Sequence, residues 1–528
     1  MQRRLRHGFR PHPVTTYRYN VALAFEHLVE TCGERPAIKL ATGAAVTYRD
    51  LDRSANRIAA ALARRGVRRR DVVAIAHEKS PGCFAAMFAA LKLGAAYVNL
   101  DEQNPVPRLQ HIFATAQPKA VFADAMPASI AAAAAGSGAE LLDLADSRFA
   151  AEVSAAANEP PPGRAAVTGA DPAYIMYTSG STGVPKGAIV THASVLNFGA
   201  WCGERFGIEP HDVVTNLNPM YFDNSVFDVY SALLNGASIA PVTRATLSNP
   251  AALLEQVERA GCTVWYSVPS LLIYLTTLKL LDATRLPAIR QLVFGGEVYP
   301  QPELRKLYAI FAGRSALVNV YGPTECTCLV TSWDIGPDDL KDQTGFAIGP
   351  ANPNCTALVV RDGRRAQPGE TGELYILGPQ VALGYVRDPE RTEKAFVRNP
   401  LDERWSERAY RTGDLVRVGE GGRKLYFLGR VDNQVKHMGY RIELEEIEAA
   451  LNRIPGVVQA AVVQKPDSTG MPIIAAYVAP GDAPAKARLR EALLQMLPPY
   501  MIPQHFEIRD SLPKNANGKI DRVTLARE

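Results

Sequence analysis

Between Thr47 and Gly66 the chain reads TYRDLDRSANRIAAALARRG. Apolar Leu51, Ala55, Ile58 and Leu62 recur every three or four positions and so share one helical face, with charged residues between them. Thr47 and Asp50 stand where a capping box opens a helix, and Gly66 where one stops. The period then changes. VVAIA from Val72 is a short β-branched run, a second helical stretch ends at Gly94, and AAYVNL follows. Helix and short apolar strand keep alternating through roughly the first 300 residues, which predicts an α/β fold of layered, largely parallel sheets. The alanine-rich stretch Ala131 to Ala135 reads as a surface insertion, and ANEPPPGRAA from Ala157 as a connecting loop.

Past Gly345 the pattern shifts to GELYILG, LGYVRDPE, YRTGDLVRV and KLYFLGRVD, short strands parted by glycine turns, as in an antiparallel, β-barrel-like subdomain. From Asp432 a helix (Glu443 to Leu451), strands (Val457 to Gln464, Ile473 to Val478) and another helix (Lys486 to Leu497) predict a small α+β unit of about a hundred residues. The boundary falls near Asp432, giving an N-terminal core of residues 1–431 and a C-terminal domain of residues 432–528.

Composition narrows the class. At 528 residues the chain exceeds one ordinary domain, and 47% apolar with 21% charged residues fits a globular enzyme. Lysine plus arginine (58) nearly balances aspartate plus glutamate (54), and the resulting +4 argues against a nucleic-acid or membrane partner. The apolar run Cys262 to Leu278 is interrupted by Pro269 and several hydroxyls, so it is not a membrane span. The basic start MQRRLRHGFR is not followed by an apolar stretch, unlike a secretory signal. Seven scattered cysteines without a CxxC pair suggest neither a zinc site nor a disulfide framework, and a reducing, cytoplasmic compartment fits.

The candidate chemistry begins at YTSGSTGVPKG, Tyr177 to Gly187. Glycines let backbone N–H groups approach an anion closely, while hydroxyls and a lysine add donors and positive charge, which together make a polyphosphate cradle. The nucleotide P-loop pattern GxxxxGK(S/T) fails here, because Pro185 stands where glycine is required and Gly187 where Ser or Thr is. The loop also joins two strand-like runs, AYIMY and AIVTH, and does not open a helix.

Nine further motifs flank it in order: VTYRDLDRSAN (Val46), LKLGAAYVNLD (Leu91), YFDNSVFD (Tyr221), FGGEVYP (Phe294), NVYGPTE (Asn319), GELYILG (Gly372), YRTGD (Tyr410), GRVDNQVKHMGYRIELEEIE (Gly429) and NANGKID (Asn515). With the loop, this series resembles the adenylate-forming superfamily of acyl-CoA synthetases, luciferases and nonribosomal peptide synthetase adenylation domains. Its later motifs are similar to the amino-acid-activating branch, and Phe222 to Thr327 to stand-alone D-alanine:carrier-protein ligases. The resemblance implies ATP-dependent formation of an acyl-adenylate, then transfer of the acyl group to a thiol.

By the same resemblance Thr178, Ser179, Gly180, Ser181, Thr182, Gly183 and Lys186 hold the ATP phosphates, and Glu325 helps bind Mg²⁺, a hard cation that takes oxygen ligands. Tyr321, Gly322 and Thr324 meet the adenine end, while Asp414, with Arg430 nearby, accepts the ribose hydroxyls. Lys519 bridges the substrate carboxylate and the α-phosphate. Asp432 is the hinge about which the small domain rotates, and Gly439 leaves room for a phosphopantetheine arm.

For the substrate, Phe222 and Asp223 open the pocket, and Asp223 pairs the ammonium of an amino acid, which is costly to bury unpaired. The wall implied by the motif anchors comprises Asn224, Phe227, Tyr266, Val293, Gly295, Gly296, Val320, Cys328 and Leu329. Apart from Asp223 it carries no charge, and its rings take up volume, so a small or medium neutral side chain is expected, alanine first, with serine, proline or a β-amino acid open. Only nine residues follow Lys519, so the acceptor is expected to be a separate carrier protein. An acyl-CoA or aryl-CoA ligase is the rival reading, and a non-catalytic nucleotide-binding scaffold a more distant one.

Overall fold

The computed structural model describes residues 17–180, 184–341, 347–467, 472–480, 483–515 and 520–528. The helix foreseen after Thr47 spans Tyr48–Arg64 and buries Leu51, Ala55, Ile58 and Leu62. The Thr47 hydroxyl accepts the Asp50 N–H at 3.0 Å and donates to Asp50 Oδ2 at 2.7 Å, so one side chain serves the cap in both directions. The next helix, Pro81–Leu93, opens at Ser80 and stops at Gly94, which takes the left-handed conformation (φ 71°). It is buried continuously from Cys83 to Lys92, as a helix must be when it lies between two sheets.

The first sheet has six strands in the order Glu140–Asp143, Ala120–Ala123, Val72–Ala76, Ala96–Leu100, Pro172–Thr178 and Lys186–Thr191. It is parallel until the last pair, where the chain turns back on itself. The second has eight strands ordered Thr331–Asp334, Ala316–Tyr321, Gln291–Gly295, Val264–Ser267, Val213–Asn216, Ser238–Pro241, Pro36–Lys39 and Ala45–Thr47, antiparallel only at its two edges.

One apolar core joins the inner faces. Val73, Ile75 and Tyr174 of the first sheet and Ile38, Val214 and Val318 of the second enclose Leu62, Phe84 and Phe88 of the interposed helices. Leu109, Ile112 and Phe113 cover the outside of the first sheet, and Leu253, Leu304 and Phe311 the outside of the second. The result is helix, sheet, helix, sheet, helix. Within the middle layer, buried Lys92 pairs with Glu26 at 2.7 Å and Asp52 at 2.8 Å, which compensates a charge placed far from water.

Two expectations change. Ala131 to Ala135 is not a surface insertion: Ala128–Ala134 is a helix whose Ile130, Ala133 and Ala134 enter the outer core. Cys262 to Leu278 resolves into strand Val264–Ser267 and helix Pro269–Thr277, and among the described residues no helix is long and apolar enough to cross a membrane.

The third sheet is antiparallel, as its glycine-spaced strands predict, but LGYVRDPE is not one of them: it is irregular, bridges Ala188 through Tyr385 and runs into helix Pro389–Ala395. Arg364–Arg365, Thr356–Arg361, Thr371–Leu377 and Arg408–Val418 follow in order, and both Phe396–Arg398 and Leu425–Arg430 pair with Arg408–Val418. The barrel-like expectation is thus met by a sheet that forks at its longest strand. The fork sets Asp414 and Arg430 opposite each other.

Beyond Asp432 come a hairpin of Gln434–His437 and Tyr440–Glu443, helix Leu444–Leu451, and a sheet of Gln459–Pro466, Pro472–Ala479 and His505–Ile508. Alternation along these strands gives the sheet two apolar faces. Val462, Ile474 and Val478 pack with Ile442 and Ile447, whereas Ala461, Val463 and Tyr477 pack with Leu512 and Leu525.

Candidate active site

The carboxyl ends of parallel strands in open α/β sheets expose backbone and loop groups to ligands. Here Thr178 ends one such strand and Ser179 follows it, Gly296 follows a second and Gly322 to Thr324 a third, and they line a common cavity with Asp223 and Asp414. The hairpin of the small unit closes it by contributing Gln434, Lys436, Gly439 and Arg441, leaving about 50 Å³.

In the glycine-hydroxyl loop, Thr178 and Lys186 face each other across the two strands. Ser181, Thr182 and Gly183 lie outside the described residues. Thr178 Oγ1 is buried and has no hydrogen-bond partner among the described residues. Ser179 Oγ donates to the Arg441 carbonyl at 2.6 Å and accepts from the Glu443 N–H at 3.2 Å, while the Gly180 N–H donates to Glu446 Oε2 at 3.2 Å.

Glu325 is the electrostatic centre. Lys186 Nζ stands 3.3 Å from its Oε1, the Tyr385 hydroxyl donates to the same oxygen at 2.7 Å, and Arg441 Nη1 lies 2.6 Å from Oε2. Burial alone would raise the Glu325 carboxyl, but Arg441, then Lys186 and Tyr385, outweigh it and hold it well below the usual carboxylate range. Burial likewise pushes the Lys186 ammonium down, against the pull of Glu325.

The turn carrying Glu325 is tightly constrained. A Cβ on Gly322 would meet the Cys328 carbonyl oxygen at 2.1 Å and Leu329 Cα at 2.6 Å, so only glycine permits this approach. Thr327 and Cys328 then adopt positive φ (60° and 74°). Gln380 braces that strained pair by donating to the carbonyls of Cys326 at 3.2 Å and Leu329 at 2.8 Å and accepting the Thr327 hydroxyl on its own carbonyl at 2.8 Å.

Asp414 has both oxygens engaged: Arg430 Nη1 donates to Oδ1 at 2.5 Å and the Tyr321 hydroxyl to Oδ2. Lys436 Nζ lies 5.6 Å from the Tyr321 ring centroid. Asp223 precedes a short helix, Asn224–Val226, that passes into a π-helical turn, Phe227–Ser231. Its Oδ2 accepts the Thr324 hydroxyl at 2.6 Å. Burial pushes the Asp223 carboxyl up, and Thr324 and Lys436 oppose that rise.

Not every residue expected in the pocket reaches it. Phe222, Asp223, Asn224 and Gly296 line the cavity, whereas Phe227, Tyr266, Val293, Gly295, Val320, Cys328 and Leu329 do not and are buried behind it. The Tyr266 hydroxyl donates to Asn224 Oδ1 at 2.9 Å and its ring lies 4.7 Å from that of Phe227, which closes the floor beneath Asp223. Arg430 grips Asp432 through two bonds of 2.6 and 2.7 Å. Gly439 (φ 82°) donates its N–H to Glu297 Oε1 at 2.7 Å, and a Cβ there would meet Val268 Cγ1 at 2.6 Å. Lys519 lies outside the described residues; its flanks Lys514 and Ile520 form an antiparallel bridge.

Sequence reasoning missed Tyr385, Gln380, Arg441 as the partner of Glu325, and Glu446. Tyr385 lay in LGYVRDPE, read only as a strand; Arg441 and Glu446 lie in the motif that starts at Gly429, which does not announce their partners, and Gln380 carries no local pattern.

The family model described as AMP-binding enzyme matches residues 25–386, and that described as AMP-binding enzyme C-terminal domain matches residues 446–519. An L-proline–L-prolyl-carrier protein ligase of Streptomyces coelicolor is 36% identical over 499 residues, covering 90% of this chain and 91% of the relative. A D-alanine–D-alanyl carrier protein ligase of Bacillus anthracis is 32% identical, covering 92% of this chain and 95% of the relative. Among solved structures, an NRPS protein containing adenylation and PCP domains, bound to a vinylsulfonamide inhibitor, aligns with a TM-score of 0.83 at 27% identity, covering 96% of this chain and 84% of that one. With both family models matched in order and full-length relatives above 30% identity, the chain belongs to the AMP-binding enzyme family, the adenylate-forming superfamily.

Proposed function

We propose that the protein activates a small neutral amino acid with ATP as its aminoacyl-adenylate and passes it to the phosphopantetheine thiol of a separate carrier protein. In the first half-reaction a carboxylate oxygen bonds to the α-phosphorus and the bond to pyrophosphate breaks. In the second, a thiolate attacks the acyl carbon and AMP leaves. The relatives that load proline or D-alanine onto carrier proteins support the class.

The single observation that carries the substrate class is Asp223: a half-buried carboxylate on the cavity wall, beside Thr324, is a partner for an ammonium and a liability for a fatty or aryl acid. The closed floor of Asn224, Tyr266 and Phe227 favours a side chain the size of alanine, serine or proline. For ATP, Thr178 Oγ1, without a partner among the described residues, and the Lys186 ammonium fit a polyphosphate, and the carboxylate of Glu325 fits a hard cation. Mg²⁺, when bound there, supplies neutralisation of phosphate charge. Tyr321, Asp414 and Arg430 form the nucleoside end, where a ribose would compete for the Tyr321 bond to Asp414. The seven free cysteines support a reducing, cytoplasmic setting.

ATP–pyrophosphate exchange over a panel of amino and carboxylic acids tests the reading. Exchange is expected with small neutral amino acids, followed by loading of a phosphopantetheinylated carrier in preference to free CoA. Exchange confined to acids lacking an amine would refute it.

We further propose that residues 1–431 and 432–528 act as two bodies hinged at Asp432, and that the hairpin orientation described above serves thiol transfer. Gly439→Ala introduces both a positive-φ penalty and a clash with Val268. It is expected to slow carrier loading roughly tenfold while leaving pyrophosphate exchange within about twofold of wild type; equal losses in both assays would count against the two-orientation scheme.

A further inference from the structure

Asp223 and Asn224 stand at the apex of a loop whose base is fastened by two charged side chains. The loop leaves strand Val213–Asn216, passes the apex and enters the π-helical turn Phe227–Ser231. Asp228, in that turn, is fully buried and reaches back to where the loop began. The Asn216 side-chain amide donates to its Oδ2 at 3.0 Å, the Asn218 N–H to the same oxygen at 3.2 Å, and the Asn218 side-chain amide to Oδ1 at 3.0 Å. Lys79, just past strand Val72–Ala76 of the first sheet, fixes the same place from the other side. Its Nζ donates to the carbonyls of Asn216 at 2.7 Å, Leu217 at 3.0 Å and Val242 at 2.9 Å, which uses all its hydrogens. Its backbone is left-handed (φ 62°), a conformation that a residue with a Cβ keeps only where its surroundings impose it. Asn216 thus joins the two charged groups, through its carbonyl to one and its amide to the other.

We propose that Asp228 and Lys79 form a clamp that closes the loop 216–228 and so sets where Asp223 meets the substrate ammonium, which makes them positioning residues for substrate selection. This deepens the proposed function and rests on it. A purely structural role is the competing account, and the energetics count against it. Taking a carboxylate and an ammonium out of water is costly, so such a pair adds little stability that apolar side chains would not supply. What it supplies is a single geometry: three donors converge on one carboxylate, and one ammonium on three carbonyls, so the base of the loop has one way to close. Burial pushes the Asp228 carboxyl up and the Lys79 ammonium down, and each charge opposes the other's shift. The clamp also reaches the pocket floor, because Asn218 Nδ2 lies 3.3 Å from the Tyr266 carbonyl and the Tyr266 hydroxyl holds Asn224. With the base loosened, Asp223 would meet the ammonium at a longer and more variable distance. The nucleotide side of the cavity, built on Thr178, Tyr321 and Asp414, stands on other strands and would not follow.

The test pairs Asp228→Asn, which turns one acceptor and an unwanted donor toward the three N–H groups, with Lys79→Met, which keeps the length and removes the charge. Pyrophosphate exchange is followed with alanine, serine and proline, and with propionate as the amine-free control. In both variants KM for the amino acid that wild type uses is expected to rise about tenfold and its preference over propionate to fall about tenfold, with KM for ATP within about twofold of wild type. A variant that is merely less stable has fewer folded molecules, which lowers the rate for every substrate alike and moves neither KM nor preference. Hydrogen–deuterium exchange on the full chain reads the loop itself. The amides of Ser225 and Val226, bonded to the carbonyls of Phe222 and Asp223 at 3.0 and 2.8 Å, should exchange at least about fivefold faster in both variants, and those of helix Tyr48–Arg64 at the wild-type rate. The double variant should lose no more than the worse single one, because either change opens the same clamp. Unchanged Ser225 and Val226 amides, faster exchange shared by that helix, a preserved preference over propionate, or single losses that multiply in the double variant would each overturn the clamp while the proposed function stands. If wild type exchanges pyrophosphate with none of the three amino acids, the substrate reading falls, and the clamp's role in it falls too.

Discussion

Exchanging Lys519 for alanine is expected to lower amino-acid-dependent ATP–pyrophosphate exchange by on the order of 10² or more. The first half-reaction drives a carboxylate toward an already anionic α-phosphate, so a cation bridging the two lowers the barrier as charge accumulates. The other basic groups at the cavity are committed: Lys186 and Arg441 to Glu325, and Arg430 to Asp414 and Asp432. Lys436 enters with the hairpin and lies over Tyr321. Ile520 packs on the face formed by Ala461, Val463 and Tyr477, opposite the face that carries Ile442 of the hairpin. In the two-body scheme proposed above, Lys519 serves the first half-reaction in the other orientation of the small unit, so the prediction separates the half-reactions. Carrier loading from preformed aminoacyl-adenylate should stay within a few-fold of wild type in Lys519→Ala. Exchange persisting near the wild-type rate would remove this lysine from the chemistry.

What the chain disclosed in advance follows from how local each signal is. The Tyr48–Arg64 helix was legible because its apolar spacing and its cap lie within one segment. The glycine-hydroxyl loop was legible because its donors are contiguous. Ala131 to Ala135 misled because a run of alanines has no polar–apolar period, although alanine is the strongest helix former and its small side chain suits close packing. Depth into the pocket was not legible, because motif order gives direction along the chain only: Asn224 lines the cavity, while Phe227 and Tyr266 pack behind it. The bond from Gly180 to Glu446 joins residues 266 positions apart, and no periodicity in either segment could announce it.

Replacing Asp223 with alanine is the second large effect, and it tests specificity where Lys519 tests rate. In the variant a substrate ammonium would enter a largely dry site without its counter-charge, which costs roughly 2–5 kcal/mol, or about 30-fold to about 5,000-fold in kcat/KM. The Thr324 hydroxyl loses only an acceptor and can rotate to another, so the fold should hold. The comparison that isolates the charge is alanine against propionate, which differ by the amine alone. Wild type should prefer alanine strongly, and the variant should lose most of that preference by falling on alanine, not by gaining greatly on propionate. The pH profile adds a second readout. Burial raises the Asp223 carboxyl, so in the free enzyme the ionised form that pairs an ammonium is lost, as pH falls, sooner than for an ordinary aspartate. The acid limb of kcat/KM for alanine should therefore lie above the ordinary aspartate range in wild type and disappear in Asp223→Asn, which keeps the shape and removes the charge. A variant that still separates alanine from propionate by the wild-type margin would mean that some other group receives the amine.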